Sequence, residues 1–291
     1  MEIIPHTNID FNRWDALVAS NELTPYDYSY YLNTVSEKWY IYVNPEYTKG
    51  FAFSTASRLG IENVTIAPFV RAHCFYGAWT SEEISAAFNE IKKRFRGCIF
   101  QSDRQIGNKA RSYQVVEEIC LSSHAKRNIQ KAEKNNLIIR NGEEIEPAFR
   151  ILATELEQKI AGFNKDQQVI LFNLLIELNK NNKLIIKEIL KENKVIGGLF
   201  FFKGKTRDLY IKGGANEEGK KSGGMYFAMY QQIRETSEAG KVFDFDGSEV
   251  PGVKRFNQYF GAIDCNYYQV TWDNNPVWYK TIRKLYLKLK K

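Results

Sequence analysis

The stretch between Leu184 and Asp246 constrains the fold more than any other part of the chain. Leu184–Leu190, Val195–Phe202 and Asp208–Gly213 are three runs rich in β-branched, aromatic and other apolar residues, which suits them to a pleated, half-buried surface. Glu192-Asn193-Lys194 and Lys203-Gly204-Lys205 separate them with turn-forming residues. A Gly/Lys loop at 216–224 then leads into a helical pattern over Met225–Ala239. Gly240 stands where a helix-ending glycine belongs, and Val242–Asp246 reads as a further strand. An antiparallel meander feeding one helical crossover specifies a mixed α/β sheet.

The flanking pattern agrees. Ser122–Asn136 is a helix with a narrow apolar stripe (Ala125, Ile129, Ala132) and a basic one (Arg127, Lys131, Lys134). Leu137–Arg140 is a short strand, Pro147–Ile160 and Gln167–Leu178 are helices, and Val253–Gly261, Tyr267–Trp272 and Pro276–Lys291 read as helix, strand and terminal helix. Earlier, strands are expected at Glu2–Pro5, Trp39–Val43, Gly50–Ser57, Asn63–Val70, Cys98–Gln101 and Tyr113–Leu121. Helices are expected at Phe11–Ser20, behind an Asp10 cap, and at Ser81–Arg96, with Ser81 as cap; Tyr26–Thr34 fits neither period. With 291 residues and roughly 150 residues per domain, the chain divides into two domains, 1–121 and 122–291. Each carries early helices, a meander and a later helix returning to a strand, so a loose duplication is expected.

Composition removes several function classes. The longest uncharged apolar run, Val195–Phe202, is far short of the ~20 residues that span a bilayer, and the N-terminus lacks a basic segment followed by an apolar one. The expectation is a cytoplasmic protein with reduced thiols. Four cysteines stand singly and there are only three histidines, so no metal site is expected. Charge is uneven: 12 Lys and Arg against 14 Asp and Glu over residues 1–121, then 29 against 20 over residues 122–291. The second part is the one to meet an anionic partner, by way of a basic surface or simply as solvated charge.

Five places carry residues suited to chemistry or binding. Lys220, Lys221, Ser222, Gly223 and Gly224 close a loop between strand and helix, where backbone N–H groups can hold phosphate; a solvated surface turn is the equal alternative. The spacing Gly214 to Lys220 matches an NTP-binding loop, but Lys221 replaces the hydroxyl residue that binds magnesium, which excludes that reading. Asp244 and Asp246 alternate on one strand face with Val242. One carboxylate is a candidate base for an amine, or the pair serves a turn cap and an ion pair. Tyr210 and Lys212 share a strand face on the same alternation, with Lys212 as partner to Asp244 or as a substrate contact. Arg127 and Lys131 form an anion site or a solvated face. The terminal helix docks its apolar stripe (Trp278, Ile282, Leu285, Leu289) or touches RNA or an anionic membrane. No G-x-S-x-G occurs to support a serine hydrolase.

Three segments resemble the Fem aminoacyltransferases and their short acetyltransferase-like relatives, a branch of the acyl-CoA N-acyltransferase (GNAT) superfamily. They are Ser123–Leu137 (SHAKRNIQKAEKNNL), Ser222–Gly240 (SGGMYFAMYQQIRETSEAG) and Phe243–Ala262 (FDFDGSEVPGVKRFNQYFGA). The resemblance implies tandem GNAT-like domains, the second better matched than the first. It also implies an acyl-CoA or aminoacyl-tRNA donor, and a small-molecule, peptide or sugar amine, anionic in character, as acceptor. In that fold two strands part, and a free backbone N–H polarises the acyl carbonyl. Two departures stand out. The coenzyme A motif [Q/R]-x-x-G-x-[G/A] is replaced by Lys220–Met225, and the lysine that often follows the last helix's phenylalanine is Asn257, with Lys254 and Arg255 as nearby substitutes. The alternatives are a GNAT-fold binding module without turnover and an RNA-binding protein using the basic second part, with tRNA as the nucleic-acid partner.

Overall fold

The computed structural model describes residues 1–107, 109–159, 164–247 and 250–289. In chain order the elements are β1 (Glu2–Pro5), α1 (Phe11–Ser20), α2 (Ser29–Val35), β2 (Lys38–Val43), β3 (Gly50–Arg58), β4 (Ile61–Thr65), α3 (Ser81–Arg94), β5 (Gly97–Ser102) and β6 (Lys109–Val116). Next come α4 (Ser123–Lys134), β7 (Ile138–Asn141), α5 (Glu146–Lys159), α6 (Lys165–Lys180), β8 (Leu184–Lys191), β9 (Lys194–Lys203) and β10 (Arg207–Ala215). The chain finishes with α7 (Glu217–Lys221), α8 (Gly224–Glu238), β11 (Val242–Asp244), α9 (Pro251–Gln258), β12 (Ile263–Asp273) and α10 (Val277–Leu289). It forms two compact units: Met1–Asn21, Tyr26–Arg111 and Tyr267–Lys291 make the first, Glu22–Pro25 and Ser112–Asn266 the second.

In the first unit the strands run β1-β2-β3-β4-β5-β12. All neighbours are antiparallel except β4 and β5, which are parallel and meet at Val64 and Cys98. One face packs Phe51, Phe53 and Phe100 against Ala87, Ile91 and Phe95, the apolar side that the period of α3 predicts. The cap of α3 lies one residue earlier than expected. Thr80 accepts from Glu83 N (3.2 Å) while Glu83 accepts from Thr80 N (2.8 Å), and this reciprocal pair outcompetes Ser81. The ambiguous aromatic stretch contains α2, whose Tyr31, Leu32 and Val35 are buried. The strand expected over Asn63–Val70 stops at Thr65.

In the second unit the order is β6-β11-β10-β9-β8-β7. The meander β8-β9-β10 is antiparallel, and β11 returns parallel to β10 after the α7–α8 crossover. One face of this sheet packs Ile189, Leu199, Phe201 and Phe243 against Ala228, Met229 and Ile233 of α8. On the other face α5 comes so close that a Cβ added to Gly198 would lie 2.2 Å from Ala148 Cβ; only glycine permits that approach. The 216–224 stretch, read from sequence as a loop, holds the short helix α7, because Asn216 Oδ1 accepts from Gly219 N (2.9 Å) and nucleates a turn. Gly240 ends α8 with φ +70°, as expected. No helix among the described residues is long and apolar enough to cross a membrane.

Candidate functional site

The site begins where two strands part. β10 and β11 pair at Arg207/Val242, Asp208/Phe243 and Leu209/Asp244, and there the ladder ends. β10 runs on beside β9 to Ala215. β11 instead joins β6 through Phe243/Val116 and Asp244/Val115, and Phe245 N donates to Gln114 O (2.9 Å). Among the described residues, the edge of β10 beyond Leu209 therefore has no ladder partner. Such an edge presents backbone N–H and C=O groups that need a partner, and an N–H so placed can stabilise a developing oxyanion.

The edge is irregular. Tyr210 lies opposite Phe201 and Lys212 opposite Phe200, so Ile211 is an extra residue in β10. A bulge of this kind reverses the alternation, and Tyr210 and Lys212 lie on opposite faces rather than sharing one. The Tyr210 ring packs 5.6 Å from Phe201 in the core under α8, where burial pushes its phenol pKa up. Lys212 takes the α5 face, half-buried, and among the described residues it makes no ion pair. The expected Lys212–Asp244 pair does not form.

Arg207 takes that place. Its Nη1 donates to Asp244 Oδ2 at 2.6 Å, and Asp244 is fully buried. Burial opposes the charged guanidinium, but Asp244 and Tyr113 beside it outweigh burial and hold its pKa above the usual range. Asp244 Oδ1 also accepts from Asp246 N (2.8 Å). Asp246 has φ +64° and lies beyond the strand, so the alternation that was to align it with Asp244 stops short of it. Of the two carboxylates only Asp246 is partly accessible.

On the loop, Lys220 pairs with Glu155 of α5 and with Glu217 (2.8 Å), while Lys221 is exposed and Ser222 buried. Gly223 has φ +84° and sits against α4, where a Cβ would fall 2.3 Å from Asn128 O. This glycine is thus required by a helix–helix contact as well as by its backbone angle. Gly224 opens α8 with no side-chain cap, which leaves first-turn amides and a positive dipole end there. Arg127 and Lys131 are exposed on α4 and make no ion pair among the described residues. Near the start of α8, Tyr226 packs on Phe256 (4.9 Å) and bonds His124 Nε2 (3.1 Å).

On α9, Lys254 pairs with Asp264 (2.6 Å) and Arg255 is exposed, so neither supplies a buried cation. Asn257 is buried and donates to Gln114 Oε1 (3.1 Å), and Gln114 Nε2 donates to Asp264 Oδ1 (3.0 Å). Lys254 and Gln114 together lower the Asp264 pKa. Sequence reasoning missed Arg207 and Gln114, and noted Asn257 only as a departure from the family's lysine. A cation opening a strand and an amide in an apolar run were the signals available.

The first unit holds a contrasting arrangement beside β5. After β4 the chain returns so that His73 N donates to Gln101 O (2.9 Å), while Tyr76 and Gly50 exchange two backbone bonds (2.9 and 3.1 Å). Asp27, fully buried, accepts from Cys74 N (2.8 Å) and Tyr76 Oη (3.0 Å) and bonds His73 Nδ1 (2.6 Å). Burial first, and then Asp27, raise the Tyr76 pKa well above the usual range. Among the described residues no group of three His, Cys, Asp or Glu could hold a metal ion.

No family model matches the chain, and none of the curated proteins matches it in sequence. Solved structures do. FemX is similar over the whole of both chains with a TM-score of 0.67 at 11% identity. L-PGS from Bacillus licheniformis gives 0.59 at 12% identity, over 93% of this chain and 94% of that one. A tandem GNAT protein from the clavulanic acid biosynthesis pathway gives 0.54 at 9% identity, over 94% and 99%. The fold is GNAT-like, in the tandem Fem-type arrangement.

Proposed function

We propose that the protein is an N-acyl or aminoacyl transferase whose activated acyl group lies between β10 and β11 in the second unit. The parting of these strands beyond Leu209 and Asp244 carries the reading. The acyl carbonyl accepts from the open edge of β10. The acceptor nitrogen forms a bond to the carbonyl carbon, the thioester C–S or ester C–O bond breaks, and the ammonium proton leaves with the thiol or hydroxyl released. Holding donor and amine together supplies most of the acceleration. Asp246, the accessible carboxylate, takes the place nearest the amine; Asp244 with Arg207 fixes the course of β11. Lys220, Lys221 and the amides opening α8 face donor phosphates, with Arg127 and Lys131 contributing positive charge. Lys254 and Arg255 lie on the acceptor side and favour an anionic amine. FemX and the other similar proteins support this choice by their shared fold alone.

Purified protein incubated with radiolabelled acetyl-CoA or with aminoacyl-tRNA, against a panel of amino acids, amino sugars and peptides, reads transfer directly. Transfer that falls in Asp246→Ala supports the assignment. A second reading, a binding module without turnover, is favoured by Lys220, whose charge is already met by Glu155 and Glu217. Saturable donor binding with no product from any amine establishes that reading; absence of donor binding removes both.

A further inference from the structure

In the first unit, α10 is held by Tyr279, which is buried and accepts from Asn63 Nδ2 (3.1 Å). The apolar stripe expected to dock does not do so. Trp278, Ile282 and Leu285 recur at i, i+4 and i+7, which places them on one side of the helix, and they are 49%, 44% and 57% exposed. The docking role falls to Tyr279, and the stripe stays open to solvent.

A second apolar group stands beside it. β3 turns into β4 through Leu59 and Gly60, with Arg58 paired to Ile61 and φ of +51° and +75° at the two turn residues. Such a turn favours Asn-Gly, because a bulky L side chain is strained at positive φ. Leucine suits neither that backbone nor water, yet Leu59 is 56% exposed. It shares the wall of a recess of about 320 Å³ with Ile282, Tyr279, Arg58 and Arg283. Two separate elements thus bring exposed apolar side chains to one place.

The charge on α10 has one sign. Residues 274–291 contain six Lys and Arg and no Asp or Glu. Asp273, just before the helix, meets both Lys280 (3.8 Å) and Arg283 (2.9 Å). Lys284 makes no ion pair among the described residues, so the helix keeps a positive excess. Lys280, Arg283 and Lys284 lie off the stripe on the remaining circumference. From there their long stems reach a surface that the stripe enters.

We infer that α10 and the Leu59 turn seat the first unit on the surface of an anionic lipid bilayer. Trp278, Ile282, Leu285 and Leu59 enter the boundary between headgroups and acyl chains, and the basic side chains meet lipid phosphates. Other partners fit less of the surface. A second copy would set one basic helix against another. RNA would meet the cations but gain nothing from Ile282, Leu285 and Leu59. The inference concerns the first unit alone and stands whether or not the second transfers acyl groups.

The test is flotation of the full-length protein with vesicles of phosphatidylcholine alone and of an equal mixture of phosphatidylcholine and phosphatidylserine. Binding to the anionic vesicles should be at least about tenfold tighter and should weaken as salt is added. Leu285→Ser should weaken it at least about tenfold, and Lys284→Ala about fivefold. Unchanged melting curves for these two exposed-residue variants show that the fold is intact. Leu59→Asn suits the turn, so it should lower vesicle affinity about threefold while the melting temperature holds or rises; a leucine with a purely structural role would give the reverse. The inference is overturned if neutral and anionic vesicles bind alike, if Leu285→Ser binds anionic vesicles as the parent does, or if tRNA binds where vesicles do not. It is equally overturned if sedimentation shows a dimer that Leu285→Ser abolishes and vesicles leave the protein unbound.

Discussion

β4/β5 in the first unit and β10/β11 in the second are the same construction: two parallel strands that meet briefly and then part. In the first unit the opening is filled. The His73–Tyr76 segment bonds to Gln101 on one side and Gly50 on the other, and Asp27 ties down its side chains. In the second unit nothing among the described residues pairs with the β11-side edge of β10 beyond Leu209, while its other edge stays on β9. The difference teaches that the parting belongs to the topology, while access to it depends on what the following segment does. Buried polar groups secure the filled version: Asp27 answers Cys74 N, Tyr76 Oη and His73 Nδ1, although His73 Nε2 is buried there without a partner among the described residues. The open version leaves backbone groups for a ligand.

Breaking the filled version should have the largest effect. Asp27→Ala removes the counterpart of His73, Cys74 N and Tyr76 at once. A loss of about 3–5 kcal/mol in unfolding free energy is expected, read by urea denaturation, with protease cutting between Ala67 and Tyr76. Asp244→Ala should cost somewhat less, about 3 kcal/mol, since Arg207 keeps Tyr113 and is not fully buried; Arg207→Met paired with Asp244→Leu should recover most of it. An additive double variant would sink the view that these two charges act as a unit.

Much of the fold was legible because its information is local. The meander β8-β9-β10 and the crossover back to β11 follow from apolar periods broken by turn residues, and α4 from its two stripes. The site was less legible for a physical reason. Asp27 meets His73 and Tyr76 across 46 and 49 residues, and Arg207 meets Asp244 across 37, distances over which no periodicity speaks. The extra residue at Ile211 is also silent, since Tyr210-Ile211-Lys212 alternates in sequence like any regular strand.

Smaller effects sharpen the comparison at the open site. Gly223→Ala places a Cβ against Asn128 O at a positive φ, and should cost about 1–3 kcal/mol while displacing the start of α8; thermal melting and donor affinity should fall together. Lys220→Ala should change stability by no more than about 1 kcal/mol, yet raise the KM of an anionic donor about fivefold. An unaltered KM would place the phosphates elsewhere. The smallest effect belongs to the filled side. Burial raises the Asp103 pKa, with Asp27 adding to it and Ser102 opposing. The ionised form is thus the disfavoured one in the folded state, and its penalty is present at neutral pH and fades as pH falls through the raised pKa. Asp103→Asn should therefore melt higher than the parent at pH 7, with the gap closing towards acid.

The turn at Asp244-Phe245-Asp246 has a consequence for any ligand that enters. Because one aspartate's carboxylate grips the amide of the other, and the second aspartate adopts a left-handed backbone, the exit direction of the chain is written into three consecutive residues. On the proposed reading, the gap between β10 and β11 is formed before a donor enters it. Entry then requires no prying apart of hydrogen-bonded neighbours, and association should proceed at a rate set by diffusion and charge rather than by a slow opening step.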